Sequence, residues 1–415
     1  MKVLSSWQPL LGFSFLLAAA WLLSRNRRAI RWRPVLGGIV LQGAFALLVL
    51  RTRAGRGFFE GAQTLFNALL DHAKEGAARL FGEEAVGLAP GSTPLLGAVI
   101  LASVVFFASL FALLHHTGVI AAIVGLMARL MARTLGTSGA ESSVAAANIF
   151  VGQTEAPLLI KPYLPRMTSS EIGTVMVVGF ATVAGGVFGL YVEMLRQSIP
   201  DIAGHLLAAS VMSAPMGLAV AKIIFPEEEQ PETLGVQVGA PPSPYANALD
   251  AAAGGAGDGL KLALNILGML LAFLALLSAA NGLLSLASPQ AFGHHWTLES
   301  WLGLLLSPVA WLMGVPWQDA QQVGALLGTK IAVNEFVAFD RMAQASGLHE
   351  RSSLILSYAL CGFANFSSIA IQIGGLGGIC PERRGEIARL GLRAMAGGIL
   401  TSWLTACTAA LFLMP

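Results

Sequence analysis

Charge is what this chain has least of. Only 12% of its 415 residues are Asp, Glu, Lys or Arg, against about 25% in soluble globular chains. With 55% hydrophobic residues, that shortage excludes a water-soluble fold and implies an integral membrane protein. A net charge of +2 is too small to attract nucleic acid. Cysteine is scarce too: Cys361, Cys380 and Cys407 lack metal-ligand spacing and lie in or beside apolar runs, where they read as small buried hydrophobes. No G-x-S-x-G nucleophile motif occurs, and "GGLGG" at 374–378 lacks the strand-then-helix setting of a nucleotide loop. His115 and His116, with Glu141 downstream, suggest a metal or hydrolase site only superficially. Adjacent helical residues point about 100° apart and do not easily share one metal, so these histidines read as interfacial, as do His294 and His295. A cleavable signal peptide is also missing from the expected pattern. Arg25, Arg27, Arg28, Arg31 and Arg33 follow the first apolar core instead of preceding it.

What is present is length in apolar runs. A spanning helix needs about 20 mostly apolar residues. Segments 8–24, 34–50, 94–116, 172–192, 202–221, 261–287, 352–379 and 394–413 meet that test, giving eight expected spans. Residues 55–72, 118–135 and the Trp-rich 298–313 are amphipathic or interfacial in character and are expected to lie along the membrane surface. The Pro-, Glu- and Gly-rich 225–245 reads as a mobile loop. Lys and Arg near helix ends favour the cytoplasm. Arg25–Arg33, Lys161, Arg166, Lys222 and Arg383–Arg393 agree on an orientation with both termini outside; Arg51, Arg53 and Arg56 oppose it.

Two stretches remain, about 139–165 and 317–346, whose apolar runs are near half the spanning length. Each carries a costly carboxylate: Glu155 in "NIFVGQTEAPLLIKPYLP" and Glu335 in "GTKIAVNEFVAFD". Segments this short predict re-entrant hairpins, and irregular backbone at membrane depth is tolerated only against protein or a wet cavity. Each hairpin precedes a span interrupted by Gly or polar residues, "GFATVAGGVFGLY" and "CGFANFSSIAIQIGGLGG". Matched interrupted segments of opposite orientation mark the inverted repeats of a transporter, with the site where the broken tips meet.

Intramembrane acids are functional by default. For Glu335 the alternative is a structural pair with Lys330, one helical turn away, and a proton relay is open to both acids. Gln153, Thr154, Asn365 and Ser368 offer neutral donors and acceptors, suited to an uncharged heterocycle or a sugar. Only Lys330 brings a cation, so nothing is built to clamp a phosphate. Phe363, two residues before Asn365, can cover a ring face. Asn148, Val151, Thr182 and Val183 sit at two breaks, where amide, hydroxyl and freed carbonyl oxygens suit a hard cation; for Thr182 alone a helix-bonded hydroxyl is the simpler reading.

"GQTEAPLLIKPYL", "GTKIAVNEFVAF" and "SYALCGFANFSSIAIQIGGLGG", in that order, resemble the concentrative nucleoside transporter family, from about residue 90 to the C-terminus. The resemblance implies an all-α fold of eight transmembrane helices, two re-entrant helical hairpins and interfacial helices. It also implies inverted repeats, a homotrimer embedded in membrane lipid, and an elevator-type transporter of the bacterial inner membrane. It implies that Gln153, Thr154 and Glu155 read the nucleobase with Val187 beside it. Glu335 would accept from the ribose, with Asn365, Ser368 and Phe363 alongside. Asn148, Val151, Thr182 and Val183 would hold sodium, the coupling ion; no other cofactor is implied. The implied division is 1–90 (N-terminal helices), 91–135 (scaffold), 136–225 (first half of a transport domain), 226–259 (linker), 260–313 (scaffold) and 314–415 (second half). The expected activity is nucleoside import by cation symport. The alternatives are proton coupling or an elevator carrier of another small polar solute; a channel would not concentrate nucleoside, and no nucleophile and base pair supports a hydrolase.

Overall fold

The computed structural model describes residues 4–236, 238–239, 243–287 and 297–413; His294 and His295 lie outside these. The described residues form helices and no strands. Residues α1 (Leu4–Leu22) and α2 (Trp32–Arg51) are followed by a surface helix, α3 (Arg53–Phe81), and a single turn, α4 (Glu83–Val86). Next come α5 (Leu96–His116), α6 (Val119–Leu135) and α7 (Gly139–Ala147). Then follow the broken pair α8 (Ser169–Ala181) and α9 (Gly185–Leu195), then α10 (Ile202–Ile224) and the 40-residue α11 (Ala248–Ala287). The last third holds α12 (Leu298–Leu312), α13 (Trp317–Ala332), α14 (Glu335–Gln344), a second broken pair α15 (Glu350–Leu360) and α16 (Phe366–Ile379), and α17 (Arg384–Phe412).

Among the described residues, six segments are long and apolar enough to cross a bilayer: α2, α5, α8–α9 taken together, α10, α11 and the stretch Pro381–Phe412. The other two expected spans are α1 and α15–α16. The apolar part of α1, Trp7–Leu22, falls short in length, and the break divides α15–α16 into two short halves. Helices α12 and α13 are together apolar enough to span, but they turn through 119°, so this pair doubles back. The three expected surface helices correspond to α3, α6 and α12.

Both hairpins form. The first descends as α7 and returns through two 3-10 turns, Ala156–Ile160 and Leu164–Arg166. Pro157, Pro162 and Pro165 explain the tighter return, since each removes a donor and cannot sit in a helix interior. The second hairpin is α13 and α14, with its tip at Val333 and Asn334.

The Pro- and Glu-rich stretch is not the free loop expected. Gly139 N–H donates to Thr233 O at 2.9 Å, Ala140 N–H to Thr233 Oγ1 at 3.1 Å and Ser143 Oγ to Val238 O at 2.7 Å, so Thr233 and Val238 close over the N-terminus of α7, with Thr233 supplying acceptors to two of its orphan amides. Nor does a linker extend to 259, because α11 begins at Ala248. The run "AAAGGAG" there lets α11 approach α5: a Cβ on Gly255 would lie 2.7 Å from Ala108 O. Small residues permit that backbone contact, and packing on α5 offsets the low helix propensity of the glycines.

The root of hairpin 1 is polar and buried. Ser138 and Thr168 open α7 and α8 with capping boxes closed by Glu141 and Glu171, and Ser138 Oγ donates to Glu171 Oε1 at 2.6 Å. Lys222 Nζ bonds Glu141, Glu227 and Ser170. Arg25 N–H reaches Ile224 O at 3.0 Å, Arg33 reaches Arg133 O at 3.2 Å and Arg383 reaches Met167 O at 2.8 Å. Arg25, Arg33, Lys222 and Arg383, four of the basic residues expected on one membrane face, thus make contacts around this region.

Candidate functional site

The two broken helices cross at their breaks. Helix α8 ends at Ala181, and Thr182 to Ala184 run extended before α9. Helix α15 ends at Leu360, and Gly362 adopts φ +113°, a conformation open to glycine without strain. A Cβ on Gly362 would lie 2.7 Å from Phe180 O and 2.9 Å from Ala181 O. Close approach and backbone conformation therefore both require this glycine.

Hairpin 1 docks its tip on the first break. Gly185 N–H donates to Phe150 O at 2.9 Å, so an orphan donor at the start of α9 is satisfied by the hairpin. Asn148 ends α7 almost fully buried, and neither its Oδ1 nor its Nδ2 has a hydrogen-bond partner. A stranded buried amide costs about 1–3 kcal/mol, so the site is built for something else to complete it. The carbonyls of Val151 and Val183 accept no hydrogen bond among the described residues. Thr182 Oγ1 spends its proton on Val178 O at 3.0 Å, the helix-bonded hydroxyl of the simpler reading. That bond leaves its lone pairs available. Amide, hydroxyl and carbonyl oxygens are donor types that suit a hard cation.

The next residues turn toward the space beside α16. Gln153 is buried and accepts at Oε1 from Gln372 Nε2 at 2.9 Å. Thr154 packs on α16, where a Cβ on Gly375 would lie 3.4 Å from Thr154 Cγ2. Glu155 is exposed, and its Oε2 accepts from Gly152 N–H at 2.7 Å. It faces Asp258 of α11 and, in the connection before that helix, Tyr245. Burial, followed by the charges of Asp258 and Asp250, raises the Tyr245 phenol above its ordinary value, so Tyr245 is a neutral donor beside two acids. Val187 is buried on α9, one turn before Tyr191.

Hairpin 2 presents Glu335 at the first position of α14, whose Asn334 cap accepts Val337 N–H at 2.9 Å. The positive end of the helix favours a carboxylate there. Glu335 is buried and held on both oxygens: Tyr191 OH donates to Oε1 at 2.9 Å and Asn365 Nδ2 to Oε2 at 2.9 Å. Asn365 is itself locked as the cap of α16, accepting Ser368 N–H at 2.9 Å and Ser367 Oγ at 2.7 Å. Phe363 lies half-buried in the second break.

Lys330 does not pair with Glu335. The helix ends at Ala332 and the tip at Val333–Asn334 redirects the chain, so the turn that would bring them together is never completed. Its ammonium instead donates to Ala359 O at 2.9 Å and Cys361 O at 3.5 Å. It caps the negative end of α15.

Helix α16 joins the two tips. Asn365, Ser368, Gln372 and Gly375 fall at i, i+3, i+7 and i+10, one face of a helix. Asn365 holds Glu335 and Gln372 holds Gln153, about 10 Å apart along the axis at 1.5 Å per residue. Sequence reading passed over Tyr191 and Gln372, although each is a lone polar group in an apolar run. A cleft of ≈ 390 Å³ lined by Arg25, Ser169, Ser170, Glu227 and Glu228 lies at the root of hairpin 1, away from these tips.

Comparison with known proteins agrees with this architecture. Residues 11–84 and 205–410 match models of the N- and C-terminal parts of Na+-dependent nucleoside transporters, and 98–198 match a nucleoside-recognition model. The nucleoside permease NupC of Helicobacter pylori is 41% identical over 421 residues, covering 99% of each chain. An uncharacterized transporter of Bacillus subtilis is 42% identical, covering 97% of this chain and 98% of its own. Human solute carrier family 28 member 3 is 37% identical over 96% of this chain but extends well beyond it, with 58% of its own length covered. The solved structure of CNTnw in an inward-facing substrate-bound state superposes with a TM-score of 0.89 at 40% identity, covering 99% of this chain and 98% of that one. The similarity therefore includes the first 90 residues as well as the three motifs. Its fold is that of an all-α, elevator-type membrane transporter, and the chain belongs to the concentrative, Na+-dependent nucleoside transporter family.

Proposed function

We propose that this protein imports nucleosides across the bacterial cytoplasmic membrane by symport with sodium. Gln153, Thr154 and Glu155 read the base, with Val187 packed beside it. Glu335, Asn365 and Ser368 bind the sugar, with Phe363 over it. Sodium is held by Asn148, Val151, Thr182 and Val183. The observation that carries this reading is the shared face of α16, which holds Gln153 at one end and Glu335 at the other, next to a stranded Asn148 amide. A base-and-sugar molecule is recognised in two parts, and α16 joins two polar stations suited to that; the oxygens of Asn148, Val151, Thr182 and Val183 would hold the ion beside the first.

The mechanism follows from connectivity. Sodium completes Asn148 and orders the hairpin tip, and the ordered tip presents Gln153 and Thr154 to the base. Coupling of this kind is reciprocal, so nucleoside tightens sodium by the same factor. One charge crossing 100 mV gains about 2.3 kcal/mol, and a tenfold sodium gradient adds about 1.4 kcal/mol. Together they support accumulation of several hundredfold. The hairpins, both broken helices, α10 and α17 would move as a transport domain against α3, α5, α6, α11 and α12 in a homotrimer, with both termini outside. The exposed apolar face of α11, including Leu264, Leu271 and Leu283, suits lipid or a neighbouring subunit.

Tritiated uridine uptake into proteoliposomes tests this, with sodium replaced by choline across a pH series. Sodium-dependent accumulation is expected. Uptake that persists without sodium but collapses with a proton uncoupler would reject the sodium assignment. Competition by nucleosides, nucleobases and dicarboxylates tests the solute class.

A further inference from the structure

The two glutamines at the base station constrain each other. Gln372 Nε2 lies 3.0 Å from Met176 O and 2.9 Å from Gln153 Oε1. Amide oxygen and nitrogen are ordinarily hard to tell apart, but a backbone carbonyl can only accept. The Gln372 atom facing Met176 must therefore be the nitrogen. Its second hydrogen points at Gln153, so the Gln153 atom there must be the oxygen. Flipping either amide sets acceptor against acceptor or donor against donor in a buried place. Helix α8 makes room for this contact with Gly179, where a Cβ would lie 2.8 Å from Gln372 Nε2 and 3.1 Å from Gln153 Cβ. Gln153 is left with one free polar group. Its Nε2 has no partner among the described residues and is not among the sealed side-chain atoms lacking one. It is open to a ligand.

We propose that Gln372 is a positioning residue that fixes Gln153 as a donor toward the base, and that the transporter therefore selects nucleosides carrying an oxo group over their amino counterparts. This rests on the reading of Gln153 as the base contact. The exocyclic oxygens of uracil and hypoxanthine accept, whereas the exocyclic amines of cytosine and adenine donate. A Gln that could rotate would serve both, as an amide carries one group of each kind. Gln153 cannot rotate while Gln372 holds its oxygen.

The test is kcat/KM for uridine, cytidine, inosine and adenosine in proteoliposomes. The wild type should favour uridine over cytidine and inosine over adenosine by about tenfold or more, in line with a site that leaves an unmatched polar group buried. Gln372→Met keeps the chain length but cannot donate, so both ratios should fall toward one, chiefly through KM. A purely structural loss would lower all four substrates equally. Gln153→Glu supplies a second test: Gln372 still donates to one oxygen, the other faces the base as an acceptor, and the preference should invert toward cytidine and adenosine. A wild-type ratio near one overturns the proposal whatever the variants do. So does a Gln372→Met protein with an unchanged ratio, or a Gln153→Glu protein that still favours oxo bases. Failure to take up any of the four would instead reject nucleoside transport, which separates the two readings.

Discussion

Replacing Glu335 by Gln should weaken nucleoside binding by about 1.5–3 kcal/mol, the scale of hydrogen bonds to a charged group, without unfolding the protein. The structure shows why folding survives. Asn365 Oδ1 is committed to Ser368 N–H and Ser367 Oγ, so its Nδ2 cannot turn away from position 335. A Gln there must keep its oxygen toward Asn365 and turn its nitrogen toward Tyr191. The Tyr191 hydroxyl, which now donates to Glu335, can rotate and accept. Both internal contacts persist at neutral strength, about 0.5–1.5 kcal/mol each instead of about 1.5–3. The remaining lone pairs, those available to sugar hydroxyls, lose their charge. At about 1.4 kcal/mol per decade, KM should rise by about tenfold to a hundredfold. Initial-rate uptake should be paired with calorimetric binding and thermal unfolding in detergent. Tyr191→Phe is the control, removing one donor while the carboxylate stays. Wild-type affinity in the Gln variant would show that this carboxylate does not touch the sugar, and the two-station reading would fall.

Asn148→Ala removes an amide that has no partner in the protein, so it should stabilise the sodium-free protein by up to about 1–3 kcal/mol and raise the sodium concentration for half-maximal uptake at least tenfold. Thermal unfolding with and without sodium, beside sodium titration of uptake, reads both; an unchanged sodium titration would remove Asn148 from the ion site. Lys330→Met removes the charged donor that caps Ala359 O and Cys361 O and takes a cation from the neighbourhood of Glu335, costing about 1.5–3 kcal/mol. Adding Glu335→Gln should recover part of that loss in thermal unfolding, because contacting groups are not additive; strict additivity would show that the two charges do not interact. Gly362→Ala forces a Cβ against Phe180 O at a positive φ, where backbone strain alone costs about 1–3 kcal/mol. Size-exclusion profiles should show poor yield of folded protein, and a normal profile would mean the breaks are not packed as described.

Much of this was legible before any coordinates, for a physical reason. Bilayer thickness fixes how long an apolar run must be, so runs of half that length, as around Glu155 and Glu335, announced hairpins. Composition misled at 225–245 and 248–259. Pro and Glu read as solvated chain, and a Gly-rich run reads as linker, because their partners are remote in sequence: Thr233 caps an amide at Gly139, and Gly255 meets Ala108. The alternative that paired Lys330 with Glu335 fails because i, i+5 contact assumes a continuous helix and the hairpin tip interrupts it. Gln372 lies within a recognisable motif, but its meaning rests on which atom faces Met176, and no pattern along the chain encodes that.

The two breaks are completed in different ways, and that asymmetry bears on coupling. Each interrupted helix exposes carbonyls that need a positive partner. At the second break the protein supplies its own: Lys330 reaches Ala359 O and Cys361 O from the neighbouring hairpin arm. At the first break no side-chain cation arrives among the described residues, and the Asn148 amide stays unmatched there. A tethered ammonium cannot be exchanged with solution, whereas an unmatched amide beside open carbonyls can be filled and emptied. The protein thus places a tethered charge at the second break and an unmatched amide at the first. Of the two, only the break beside Asn148 could take its cation from solution. On the proposed assignment, the demand for a mobile cation lies at the hairpin that also carries Gln153, where ion occupancy would govern substrate binding directly.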